Sequence, residues 1–268
     1  MIYTKEMLIS QLKEMNAPQN SVVHMHISLK AVGKTEGYGD GLLNTLIEYF
    51  TQKGGLFTIP THTWAYMDDP SGITLDLSAP KSCIGVLPCL AAKRDEAHRS
   101  LHPTHSMAVF GDSAKSEAFI KDEGSYGTPA SPKGCYGRLY DNDGYIMLVG
   151  VEHNRNTFIH CVEEMLDIPN RLSEELKTLR IKNKDGSIRE VMSRSHEAKG
   201  IGDVSLRYVK YEKAFRHYNA IVDGKLGNAS VQIINTRKIK EIVELIYNRS
   251  GGRELMLDME PLDEELYV

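Results

Sequence analysis

The 268-residue chain lacks several features that would assign it to a class at once. It has no excess of positive charge: the formal net charge is -4, so no basic field points to nucleic acid. It has no apolar run long enough to span a bilayer. The start, MIYTKEMLISQLKEM, lacks the apolar core of a signal peptide, and the chain is expected to be cytoplasmic. Its four cysteines, Cys83, Cys89, Cys135 and Cys161, form no C-x-x-C pair, which excludes a zinc ribbon and favours thiols over disulfides.

What is present is an ordinary core-forming composition, 41% hydrophobic, sized for a single α/β unit over residues 1–268. Lys5 to Met15 reads as an amphipathic helix and Ser21 to Ile27 as a strand with His24 and His26 on one face. A glycine-rich loop, Ser28 to Gly41, follows, with Asp40 placed to cap a helix through Leu42 to Phe50. Leu56 to Ile59 reads as a strand, 61–82 as a long loop, and Ile84 to Lys93 as a helix. Met107 to Phe110 is strand-like, Ser113 to Ile120 helical, Gly124 to Pro132 a loop, and Gly137 to Tyr140 the end of a short helix.

Tyr145 to Val151 is the clearest buried strand, and Asn156 or Thr157 would cap the helix that follows through Met165. Beyond Pro169 the pattern changes. Arg171 to Ile181 and Ser187 to Met192 read as strands around a Lys184-Asp-Gly186 turn. Val204 to Phe215 and Asn235 to Asn248 read as helices, with a second hairpin turn at Val222-Asp-Gly-Lys225 between them. The acidic tail from Leu255 has no balancing base, and about 251–268 is expected to pack loosely. The predicted fold is α/β, a three-layer sandwich with a central mixed sheet and a carboxyl-terminal β-hairpin region.

Four stretches concentrate polar chemistry. His24-x-His26 and His102-x-x-His105 have spacings open to zinc, yet no second ligand motif accompanies them, and no metal is expected. The Ser28 to Gly41 loop, between a strand and a helix, is a candidate phosphate cradle that matches neither a P-loop nor a dinucleotide fingerprint. Gly150 to His160 lies at the carboxyl end of the best strand, where open α/β sheets bind ligands, and offers His160 as a general base.

Six stretches occur in an order that resembles one family: His26 to Gly33, Leu56 to Trp64, Gly85 to Pro88, Ser100 to Ser106, Ser131-Pro132, and Val149 to His160. Together they are similar to the aminoglycoside 3-N-acetyltransferases, acetyl-CoA-dependent enzymes. The resemblance implies direct acetyl transfer to a small amine in a ternary complex, with His160 as catalytic base and Thr157 as an oxyanion donor. It implies CoA contacts at Ser28, Leu29, Lys30, Ala31, Val32, Gly33 and Ser106, and makes SLHPTHS at 100–106 a pocket wall. Acceptor contacts are expected at Trp64, Asp68, His105 and His196, with no nucleic-acid or membrane partner and a homodimer as one assembly.

One departure limits the likeness. The family's acid-rich segment falls on Lys182 to Lys199, where five bases face three acids, so a polycation would not be drawn to it. Glu197 is the candidate to orient His160 there. Glu163 and Glu164 are rivals, set aside because i+3 and i+4 side chains run along a helix surface. Two other classes stay open: a cysteine-histidine hydrolase using Cys135, and a CoA-binding protein without transferase activity.

Overall fold

The computed structural model describes every residue of 1–268 except Glu123 and Ser125; the second of these falls in the loop read over Gly124 to Pro132. Ten strands are present among the described residues: β1 (Val22–Ile27), β2 (Leu56–Pro60), β3 (Leu75–Asp76), β4 (His98–Arg99), β5 (Met107–Phe110), β6 (Tyr145–Val149), β7 (Lys177–Lys182), β8 (Ile188–Ser193), β9 (Ile221–Leu226) and β10 (Ala229–Asn235). Seven form one mixed sheet in the order β4-β5-β2-β1-β6-β10-β9. β1 is parallel to both β2 and β6, and the pairs further out are antiparallel. β3, β7 and β8 make a separate three-stranded sheet.

The alternation of side chains along the strands builds two cores. Val23, Met25, Met147 and Val149 face the helices Lys5–Glu14, Tyr38–Thr51 and Val86–Ala92. Val22, Ile146, Leu148 and Ile234 face the helices Cys135–Asp141, Phe158–Met165, Glu212–His217 and Thr236–Arg249. The helix Thr236–Arg249 shows why such segments fold: Ile239, Ile242, Val243 and Ile246 recur on one buried face. Asn235 caps it by accepting from the amides of Arg237 and Lys238. The architecture is a three-layer α/β sandwich.

Several expectations are corrected. Val222-Asp-Gly-Lys225 is not a turn but the middle of β9, with Gly224 paired to Val231. A Cβ on Gly224 would lie 2.7 Å from Met15 Sδ, so the glycine makes room for a helix rather than bending the chain. The actual turn is Gly227-Asn228, where Gly227 has φ +61 and a Cβ would press to 2.3 Å from the Val32 carbonyl oxygen. Asp40 does not cap its helix, which starts earlier at Tyr38; instead it pairs with Arg94 at 2.9 Å. The tail is not loose: Met256, Leu262, Leu266 and Tyr267 are buried in the core. Nor is it without bases, since Lys210 reaches Asp258 at 3.1 Å and Arg253 reaches Asp263 at 3.3 Å.

Candidate active site

β1 sits where strand order reverses: the chain crosses to β2 on one side and later to β6 on the other. Loops leaving the carboxyl ends of these parallel strands diverge there and leave a crevice. A cleft of about 790 Å³ occupies it, sized for a small-molecule ligand. Ser28, Leu29 and Lys30 reach it from the end of β1, Pro60, His62 and Trp64 from β2, and Arg155, Thr157 and His160 from β6. The small sheet closes another side with Lys177, Leu179 and Ser193 to His196.

His160 lies in the first turn of the helix Phe158–Met165 and is buried on the cleft wall. Its Nδ1 lies 2.7 Å from the Tyr208 hydroxyl, which in turn makes a short bond to Glu163 Oε2. A carboxylate accepts, so the tyrosine donates to Glu163 and accepts from His160. This network assigns the proton to Nδ1 and the lone pair to Nε2. Nε2 has no hydrogen-bond partner among the described residues. Glu163 is held from behind by Arg171 at 2.5 Å, and Arg171 is forked onto Glu254 at 2.7 and 2.8 Å. Burial works against the Arg171 charge, but Glu254 and Glu163 outweigh it and raise its pKa. Burial, with Glu163 beside it, keeps Tyr208 firmly protonated.

The opposite surroundings of His160 are imidazole. His196 stacks on it with centroids 3.8 Å apart and planes at 12°. His105 meets His196 edge-on at 5.1 Å and lies 4.4 Å from His62. Burial pushes all three well below the ordinary histidine range, with neighbouring histidines adding to the effect. His102, behind them, accepts at Nδ1 from the amides of Thr104 and His105, both at 3.2 Å, and burial pushes it down to about 3. It fixes the turn that presents His105. Despite the density of imidazoles, no group of three His, Cys, Asp or Glu side chains among the described residues could hold a metal ion.

The sequence-derived residues divide sharply. His160, Thr157, Ser28, Leu29, Lys30, Trp64, His105 and His196 all line the cleft. Thr157 stands at the cap position yet makes no side-chain capping bond. Ala31, Val32 and Gly33 turn away. Val32 is core, and Gly33 (φ +94) is demanded by Asn228, whose Nδ2 a Cβ would approach to 2.6 Å. Ser106 is buried behind the wall, bonded to Thr61 and Arg99. Asp68 is exposed outside the cleft, where Met67 lines it instead.

Glu197 is also exposed and off the lining; the acid that reaches the His160 network is Glu163, 3.7 Å from Nδ1. The tyrosine bridge is what an i+3 carboxylate needs to meet the ring, and helix spacing alone does not reveal it. Tyr208, 48 residues downstream of His160, carries no local signal at all. Cys135 is buried in the core with its sulfur toward the Phe119 carbonyl, away from the cleft, which removes it as a nucleophile there.

Fold and cleft together define an α/β protein with a buried, acid-supported histidine at the carboxyl ends of parallel strands. A family profile for aminoglycoside 3-N-acetyltransferase matches residues 25–247. The chain belongs to the aminoglycoside 3-N-acetyltransferase family and is an N-acetyltransferase. Aminoglycoside N(3)-acetyltransferase IV of Salmonella sp. is 24% identical over 278 residues, 97% of this chain and 97% of its own length. The crystal structure of a mutant aminoglycoside acetyltransferase AAC(3)-IVa in complex with a gentamicin matches with TM-score 0.78 at 22% identity, over 94% of this chain and 90% of that one. AAC-IIIb, in a binary complex with CoASH, matches with TM-score 0.78 at 18% identity, over 93% and 98%. Among the described residues no helix is long and apolar enough to cross a membrane.

Proposed function

We propose that the chain transfers an acetyl group from acetyl-CoA to an amine by direct attack, with His160 as the general base. The observation that carries this is the hydrogen-bonded order His160 Nδ1, Tyr208, Glu163, which leaves Nε2 as a basic lone pair at the cleft. Acetyl-CoA, when bound, supplies an acyl group already activated as a thioester. The chain's residues fit such an anionic, elongated ligand. The amides of Leu29 and Lys30, first in their short helix, have no intrahelical acceptor, and both residues line the cleft with Arg155.

An amine is a nucleophile only without its extra proton. His160 Nε2 takes that proton as the nitrogen bonds to the acyl carbon, and holds it until the departing thiolate or water accepts it. Glu163, through Tyr208, stabilises the imidazolium formed in that step. Thr157 offers a hydroxyl on the cleft wall for the developing oxyanion. No enzyme-bound acyl intermediate is required. The thiol on the lining, Cys83, is pushed up by burial, which disfavours the thiolate a cysteine nucleophile needs.

The test is thiol release from acetyl-CoA across a panel of amines, with the aminoglycosides of the family among them, in wild type and His160→Ala. The variant is expected to lose turnover by roughly a hundredfold or more while keeping its affinity for CoA, as loss of a general base requires. Near-normal turnover in the variant removes His160 from the chemistry. Cys83→Ala separates this reading from a cysteine hydrolase, because direct transfer survives loss of the thiol on the cleft wall.

A further inference from the structure

The small sheet brings to the cleft a charge that acetyl transfer as described does not use. In the β7–β8 hairpin Lys177 lies opposite Ser193, and Arg194 follows directly. Both cations therefore sit at the end of the hairpin away from its 183–187 turn, and both line the cleft. Neither makes an ion pair with any acid among the described residues, and the same holds for Lys30 and Arg155. The carboxylate on the lining, among the described residues, is Asp203, and it is already engaged by the Ser205 amide at 3.0 Å and hydroxyl at 2.7 Å. Glu163 is committed to Tyr208 and Arg171, and Glu164 accepts from Thr128 at 2.6 Å. Among the described residues the lining thus presents four cations, Lys30, Arg155, Lys177 and Arg194, against one carboxylate, Asp203.

These cations fall into two pairs by origin. Lys30 and Arg155 come from the segments after β1 and β6, beside the helix start that suits the CoA phosphates. Lys177 and Arg194 come from the other sheet. Arg194 is two residues before His196, whose ring stacks on the base. Its place is held by its own amide, which donates to the Gly127 carbonyl at 2.7 Å. The second pair therefore enters the cleft from the segment that carries His196, apart from Lys30 and Arg155. A polycation meets only repulsion there, whereas an oxyacid group meets a guanidinium and an ammonium with no competing partner.

We propose that the acceptor is a small amine that also carries a carboxylate or phosphate, held by Lys177 and Arg194 while its amino group faces His160 Nε2. This deepens, and rests on, the reading of the chain as an acetyl-CoA-dependent amine acetyltransferase. It turns the departure at Lys182 to Lys199 into a change of specificity.

The test uses matched amines that differ only in the anion: γ-aminobutyrate against its amide, and glucosamine against its phosphate ester, with an aminoglycoside as the polycation. Thiol release gives kcat/KM for each in wild type, Lys177→Ala, Arg194→Ala and Arg194→Glu. Calorimetry gives CoA affinity, and binding of each amine to the CoA-loaded protein, so the comparison does not depend on turnover. Wild type is expected to favour the anionic member of a pair, and the better pair tells carboxylate from phosphate. Each alanine variant should raise KM or Kd for that member roughly threefold, the scale of an exposed ion pair, and leave its neutral partner and CoA unchanged. Arg194→Glu should reverse the preference. The proposal is overturned if the neutral amine or the aminoglycoside is favoured, or if the variants weaken CoA and treat both members of a pair alike. Loss of acetyl-CoA binding and turnover in the wild type itself would instead bring down the acetyltransferase reading beneath it.

Discussion

His160 separates two regions that use the same residue type to opposite ends. On one side a chain of hydrogen bonds runs from Nδ1 through Tyr208 to Glu163, and on to Arg171 and Glu254. On the other, His62, His105 and His196 pack ring against ring, with burial holding each neutral. His196 does approach an acid, with Nε2 3.7 Å from Glu164 Oε1, but burial raises that carboxyl to about 7, so it is no dependable anion. The lesson is that a cluster of imidazoles supplies no base by its density. What sets His160 apart, on the proposed reading, is its backing: a buried carboxylate, Glu163, locked by a guanidinium, stands behind it through Tyr208.

The comparison breaks most visibly if Glu163 is neutralised. Glu163→Gln keeps the shape of the network and removes its charge, leaving Arg171 paired to Glu254 alone. Turnover is expected to fall about a hundredfold, a loss within the range for disabling the group that orients a catalytic histidine. A purely structural role would lower the melting temperature and cost activity only in proportion to the folded fraction. A positioning role lowers kcat in fully folded protein with CoA affinity intact. Full activity would contradict the assignment.

The neutral region has a thermodynamic signature of its own. His26 and His102 are pushed by burial from 6.5 down to about 3, and His153 to about 4. Each contributes stability that is fully present above the unfolded value and is lost as the pH falls through the window below it. Glu164, raised to about 7, acts in the opposite sense: it costs stability near neutral pH and returns it as the pH falls toward 4.5. These three histidines against one carboxyl leave a net uptake of two protons on unfolding, and His24, His62, His105 and His196, also held down by burial, add to it. The loss is therefore no smaller than about 3 kcal/mol per pH unit below 6.5. Urea midpoints measured from pH 6.5 to 4.5 should fall steeply, and more steeply still in Glu164→Gln, which removes the compensation. A flat midpoint over that window would mean that these imidazoles are not excluded from water.

Much of this arrangement is legible in the sequence where the signal is local. The strand Met107–Phe110 and the helix Ser113–Ile120 stand where they are expected, because a short apolar run and an aspartate cap at Asp112 are complete within a few residues. The sequence sets His160 after a buried strand, and the structure places it on the cleft wall. What fails depends on distant partners. Gly224 looks like a turn until Met15 is seen filling the space above it. Val32 and Gly33 are expected as ligand contacts until the Gly227-Asn228 turn is seen docked on them, and Ala31 lies against Gly150. Glu197 outranks Glu163 on sequence spacing because the ring and the carboxylate meet only through a tyrosine from another segment. Helix geometry limits what an i+3 pair does directly; it is silent on a third residue placed between them.

The finest point of the comparison is the stack of His196 on His160. Two parallel imidazoles at 3.8 Å cannot both carry charge, and burial together with His160 itself keeps His196 neutral. On the proposed mechanism its ring is a π face against the imidazolium formed during transfer, worth roughly 1 kcal/mol. His196→Phe preserves an aromatic face and discards both ring nitrogens; His196→Ala removes the face as well. If stacking is what matters, the phenylalanine variant keeps kcat within about twofold of wild type, while the alanine variant falls roughly fivefold. If His196 instead shuttles protons between Glu164 and the cleft, the two variants fall together. Equal losses in kcat, with CoA affinity intact, would place His196 on the working side of the comparison beside Glu163 rather than among the neutral walls.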